Sequence, residues 1–264
     1  MFGGTSKPFA FAIVISTVLL SSAPGWAQGD DNNQLRAVPF AFVGTAENCN
    51  PAPAGSNIVT SAWLGGAGLP DDGGPNTTAA DLATNPAKRD PHLGLLLSKN
   101  GPTADCSAAG AEIRGASGII VTPTFELGYD YRNGGHCGGG APRFNVSYTL
   151  PDGADGFSFV GGCANDSTPT SAPQDPLQWS RVRFQTSDPA ESFPVIPAGS
   201  SIQRISLILD EGTDTPTLAR PSGDLGNPAG IGSSFVDNIF VNGSFIRRGQ
   251  GIEPKPGERD QRAD

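Results

Sequence analysis

Along most of the chain, apolar and polar residues alternate with a period of two, the mark of strands with one face buried and one in water. The clearest case lies between Gly118 and Leu150. In Phe125–Tyr131, the side chains of Phe125, Leu127, Tyr129 and Tyr131 alternate with Glu126, Gly128 and Asp130. In Arg143–Leu150, Phe144, Val146, Tyr148 and Leu150 alternate with Arg143, Asn145, Ser147 and Thr149. A glycine-rich loop carrying His136 and Cys137 joins the two, and they are expected to form a central hairpin. Gly156–Gly162 returns after the Pro151-Asp152-Gly153 turn and is expected to pair with Arg143–Leu150.

Further strands are expected over Ala37–Val43, Ile58–Leu64, Leu93–Lys99 and Ile119–Thr122. Pro39 favours an edge for the first of these, because proline cannot donate to a ladder. Cys106–Ile113 fits either a strand or a short helix. In Gln178–Thr186, Val182 and Phe184 point inward and Arg181 and Arg183 outward. Ile202–Asp210 and Phe235–Val241 follow, and Asn242-Gly243 then turns the chain toward Phe245 and Ile246.

About nine to eleven short strands with almost no helical periodicity bury their apolar faces most economically as two stacked sheets. The expected fold is all-β, an antiparallel β-sandwich of jelly-roll type spanning residues 37–246. Two long polar tracts interrupt it, Gly65–Asp90 and Ala164–Pro176, and loops of that length tend to be functional or mobile. Thr78–Ala83 makes one helical turn at most. Residues 28–36 and 247–264 offer little to bury and read as disordered segments.

The first 27 residues have a different pattern. Lys7 precedes the apolar run Phe9–Leu20, and Gly25-Trp26-Ala27 places small residues where a signal peptidase needs them, so cleavage is expected after Ala27. No later apolar run is long enough to cross a bilayer, so the mature chain is expected to be exported without a transmembrane segment. Cys49, Cys106, Cys137 and Cys163 all lie beyond the cut, and an even count in an oxidising compartment suggests two disulfides. Three pairings are possible. Cys49–Cys106 with Cys137–Cys163 is favoured, because the second pair flanks a hairpin that would bring its ends together. A zinc site is the sharper alternative, but neither a C-x-x-C nor a paired-histidine spacing is present.

Composition changes this picture only slightly. Glycine (36) and proline (24) are abundant, which suits many turns between short strands. A net charge of −9 without a basic cluster argues against nucleic acid or anionic lipid as partner.

Candidate chemistry is sparse. The two histidines are His92 and His136, and G-x-S-x-G, H-E-x-x-H and G-x-x-x-x-G-K-[ST] are all missing, which makes a hydrolase the least favoured reading. His136 beside Cys137 suggests a thiolate–imidazole pair, a reading that oxidation of Cys137 would remove. Glu126 and Asp130, four apart on one strand, stand roughly 13 Å from each other, beyond the spacing of glycosidase carboxylates. Oxygen-rich acidic loops suit calcium. Its first candidates are Asp210, Glu211, Asp214 and Asp237, with Asp71 and Asp72 second, although ordinary turn chemistry accounts for such loops equally well.

Sugar recognition needs an aromatic face and polar side chains for the hydroxyls. Trp179 falls out of phase with Val182 and Phe184 and is expected to be exposed. Glu126, Asp130, Arg143 and Asn145, on the solvent face of the central hairpin, would supply the polar partners. Tyr129 and Tyr131 are in phase with the core.

The closing strand FVDNIFVNG, the run of short alternating strands after a signal peptide, and the acidic DEGTD loop together resemble secreted jelly-roll modules of the carbohydrate-binding, galactose-binding-like kind, over Ala37 to Ile246. The resemblance implies a sandwich whose last strand carries a hydrophobic-Asp-Asn-hydrophobic pattern, with calcium as a staple away from the sugar site. The expected function is an exported, non-enzymatic module that binds a glycan or another cell-envelope component. The alternative is a protein-interaction role for the two long loops.

Overall fold

A computed structural model describes residues 35–49, 59–70, 74–84, 92–100, 106–211 and 232–246, all within the unit Asn32–Asp264. The expected signal segment, the C-terminal tail, Asp71, Asp72 and Asp214 lie outside the described residues.

The described residues form two antiparallel sheets. The first contains β1 (Arg36–Phe42), β4 (Ala108–Arg114), β11 (Ser201–Leu209), β6 (Arg143–Thr149), β7 (Asp155–Gly161) and β10 (Ser192–Phe193), in that spatial order. The second contains β2 (Val59–Leu64), β3 (Gly94–Lys99), β12 (Ser233–Val241), β5 (Glu126–Arg132), β9 (Trp179–Gln185) and β8 (Thr170–Ser171), with β13 (Ser244–Ile246) paired to β12. The orders β4-β11-β6-β7 and β3-β12-β5-β9 are those of a jelly roll, in which the chain keeps passing between the sheets. Pro39 lies in β1, at an edge as expected. Cys106–Ile113 resolves as strand β4, and one short helix, α1 (Ala79–Thr84), lies in the first long loop. Ile119–Thr122 forms only a single bridge, Ile120 to Ser201.

The expected central hairpin does not form. β5 pairs with β12 and β9 in one sheet, while β6 pairs with β11 and β7 in the other. The glycine-rich loop is therefore a crossing between sheets. Both strands carry large rings on their apolar faces, and facing one another across the core buries both sets at once. Tyr129 meets Phe144 there with ring centroids 5.9 Å apart, and its hydroxyl donates to the carbonyl of Pro142 at 2.7 Å. That burial pushes the phenol well above its ordinary range. The hairpin of this region is β6–β7, in register Phe144↔Val160 and Val146↔Ser158. It is bracketed by the Cys137–Cys163 disulfide, and the other disulfide joins Cys49 to Cys106. Such bonds form and persist in oxidising compartments.

The core is built from the inward residues of both sheets, among them Ala109, Ile205, Leu207, Phe144 and Val146 against Leu95, Val236, Leu127, Tyr129 and Phe184. In β12 the alternation breaks. Val236, Ile239 and Val241 all point inward, while the register to β5 shifts between Asp237 and Phe240. This is a β-bulge centred on Asn238, whose φ of 44° is a left-handed conformation that asparagine tolerates better than most residues. The bulge sends Asp237 and Asn238 to the same outer side.

Candidate functional site: the outer faces of the sandwich

The five residues expected to bind ligand are divided between the two outer faces. Arg143 and Asn145 lie on β6 in the first sheet, whereas Glu126, Asp130 and Trp179 lie on β5 and β9 in the second.

The second sheet's outer face is largely closed. Asp130 is fully buried and pairs with neither Arg132 nor Arg143. It accepts hydrogen bonds from Arg181 Nε at 2.8 Å and Nη2 at 2.9 Å, and from Asn238 Nδ2 at 2.7 Å. Arg183 stands 3.8 Å from the same carboxylate and 4.7 Å from the Phe240 ring centroid. Burial lowers the Arg183 guanidinium to about 10, against the pull of Asp130, so it remains charged at neutral pH.

This buried polar group fastens the first long loop. Asp237 accepts from Leu69 N at 2.7 Å, Gln174 links Asn238 to the Pro70 carbonyl, and Arg181 donates to Pro75 O and Asn76 Oδ1. Trp179, expected to be exposed, is only 4% exposed. It does sit out of phase with Val182 and Phe184, on the outer side, but Leu69, Ala172 and Phe235 cover it. An indole so enclosed offers no stacking platform. Glu126 is half-buried and accepts from Gln185 Nε2 at 2.9 Å.

The first sheet's outer face is open. Phe157, Phe159 and Phe193 are 44%, 41% and 45% exposed, and the β7 and β10 registers place Phe193 directly beside Phe159. Phe157 and Phe159 meet edge to face with centroids 5.0 Å apart. On the adjoining β6, Asn145 stands opposite Phe159 and Ser147 opposite Phe157. The Arg143 guanidinium lies 4.7 Å from the Phe159 centroid, donates to both oxygens of Asp210 at 2.6 Å, and gives its Nε–H to Asn145 Oδ1 at 3.1 Å. That last bond turns the Asn145 Nδ2 away from the guanidinium. Arg204, farther along the face, approaches Glu112 at 3.9 Å. Arg143 is matched by Asp210, Arg204 shares Glu112 with Arg114 at 3.8 Å, and an aromatic strip adjoins an uncharged polar one.

These phenylalanines were not singled out from the sequence, yet a signal for them exists. Residues directly opposite in an antiparallel pair share a face. With Phe144, Val146 and Tyr148 pointing inward, the turn at Pro151–Gly153 puts Gly156, Ser158 and Val160 inward too, and so Phe157 and Phe159 outward. The buried Ser158 is satisfied by Pro194 O at 2.6 Å and Ser192 Oγ at 3.0 Å. At Gly156 a Cβ would run into the Tyr148 ring, which is why glycine stands there.

At one end of the sandwich, His136 is buried and its Nε2 meets Glu211 Oε2 at 2.7 Å, while Lys99 Nζ donates to the Asp210 carbonyl at 2.8 Å. Cys137 is in a disulfide, so the thiolate–imidazole pair does not exist. The calcium candidates among the described residues are dispersed. Asp210 and Glu211 follow β11 in the first sheet, and Asp237 lies within β12 in the second. Among the described residues no three histidine, cysteine or acidic side chains gather as a metal would require. No helix among them is long and apolar enough to cross a membrane. Comparison of the chain with protein-family models, with curated proteins and with solved structures gave no match.

Proposed function

We propose that this chain is an exported, non-enzymatic binding module whose ligand is a glycan or a similar cell-envelope polymer, held on the outer face of the first sheet. The observation that carries the reading is the row of three half-exposed phenylalanines beside Asn145 and Ser147. Isolated exposed apolar residues are ordinary, but a contiguous patch rimmed by polar groups marks a contact surface. Sugar rings present C–H faces to aromatic rings and hydroxyls to amides, which is the division this face offers. The pairing of Arg143 with Asp210 beside the strip suits an uncharged partner. The two disulfides fit a module working outside the cytoplasm.

The test is co-sedimentation with insoluble polysaccharides, together with affinity electrophoresis in soluble ones. Phe159→Ser is expected to weaken binding about tenfold, equivalent to roughly 1.4 kcal/mol, and Phe157→Ser with Phe159→Ser to abolish it, with melting temperatures close to that of the parent. Retention of binding by the double variant would sink the assignment of this face.

Calcium belongs to the proposal only as a structural ion. Asp210, Glu211 and Asp237 already have protein partners, so an ion taking them would have to displace Arg143, His136 or the Leu69 amide. A drop of several degrees in melting temperature with EDTA, restored by calcium, would support the ion. Indifference to both removes it.

A further inference from the structure

The two long loops do more than cover Trp179. Where they meet, over the second sheet, they leave a cleft of about 390 Å³ walled by Leu69, Pro70, Leu82, Pro176, Leu177 and Trp179, with His92, Gln174 and Asp175 as its main polar side chains. That volume is in the range of small-ligand sites, which are mostly apolar with a few placed polar groups. The walls are preorganised. Besides the Asp237, Gln174 and Arg181 bonds described above, Gly68 N donates to His92 O at 2.7 Å and Ala79 N to Pro173 O at 2.9 Å.

Among the described residues the apolar lining is uncovered. Helix α1 buries none of its residues, although Ala79 and Leu82 face the cleft, and Leu177 at the rim is 89% exposed. The charge is equally specific. Asp175 Oδ1 accepts the Gln178 amide at 3.2 Å, and among the described residues no lysine or arginine pairs with its carboxylate. From this combination we infer that the cleft binds a small organic cation, an amine or quaternary ammonium with an apolar body. The body packs against Leu82, Leu177 and the edge of Trp179, and the charged head lies at Asp175. The site is independent of the phenylalanine strip on the opposite sheet.

The experiment is an NMR titration of the whole chain with benzyltrimethylammonium, with benzyl alcohol, benzoate and methyl glucoside in parallel. The indole N–H signals report position, since Trp179 lines the cleft while Trp63 donates to Ala37 O at 3.1 Å elsewhere. The expected result is a saturable shift of the Trp179 signal with the ammonium, none at Trp63, and at least tenfold weaker binding of the alcohol and benzoate. Asp175→Asn keeps the Oδ1 acceptor for Gln178 and should weaken the ammonium about tenfold; Leu177→Ala, at a solvent-exposed position, should weaken it a few-fold. Phe157→Ser with Phe159→Ser should leave it unchanged, which separates this site from the glycan face. Equal affinity for the alcohol, an unaffected Asp175→Asn variant, no Trp179 shift at 10 mM probe, or a response to the glucoside instead would each overturn the inference.

Discussion

Asp130 shows how differently two ion pairs in one protein can count. Its carboxylate is inaccessible and holds Arg181, Asn238 and, at longer range, Arg183. Removing it strands two guanidinium groups in a poorly hydrated setting. Asp130→Ala is expected to cost about 3–5 kcal/mol, the range for breaking a buried pair from one side. Glu112, which meets Arg114 and Arg204 at 3.8 and 3.9 Å with well-exposed partners, should cost under about 1 kcal/mol when replaced by alanine. Urea unfolding of the two variants compares them directly, and similar losses would show that the Asp130 group does not anchor the loop above it. Strand alternation alone places Asp130 in solvent. Alternation reports which side a residue faces, and it is silent on whether a distant loop returns to cover that side. The same blindness left Trp179 on the right side of β9 with the wrong exposure.

For the elements, the alternating pattern was a reliable guide to strand positions and a poor one to strand partners. β3, β6, β9, β11 and β12 fall within a residue or two of their expected bounds. The hairpin expected between β5 and β6 failed because two inward-facing strands joined by a loop can pair side by side or oppose each other across a core, and both arrangements give the same pattern. The cysteine spacing carried more partner information. Cys137 and Cys163 enclose the real hairpin, β6–β7, as expected from their positions on either side of it. Closing a loop of that size restricts the unfolded chain by about 3.5 kcal/mol. Cys137→Ser with Cys163→Ser should therefore lose about that much in denaturant melts without displacing the strands. A loss under about 1 kcal/mol would mean that the β6–β7 ladder already orders this segment when unfolded.

On the scale of the whole molecule, stability is shared between sheets that the chain visits in turn. The two central strands, β11 and β12, are also among the last in sequence, and each lies between strands made much earlier: β11 between β4 and β6, β12 between β3 and β5. Long-range pairings of this kind fold slowly, because distant segments must meet before any contact rewards them. A chain ending at Gly232 has every other long strand but lacks the one that seats Leu95 against Leu127, so it should show no cooperative thermal transition. A sharp transition in that truncated chain would show that the first sheet folds alone.

The late arrival of β12 also bears on when the fold can close. A growing polypeptide cannot complete this architecture from its leading end, since the gap between β3 and β5 stays vacant until residues 233–241 are synthesised. Up to that moment Leu95 and Leu127 lack the strand that pairs with both of theirs, and closure of the second sheet waits for an element made late.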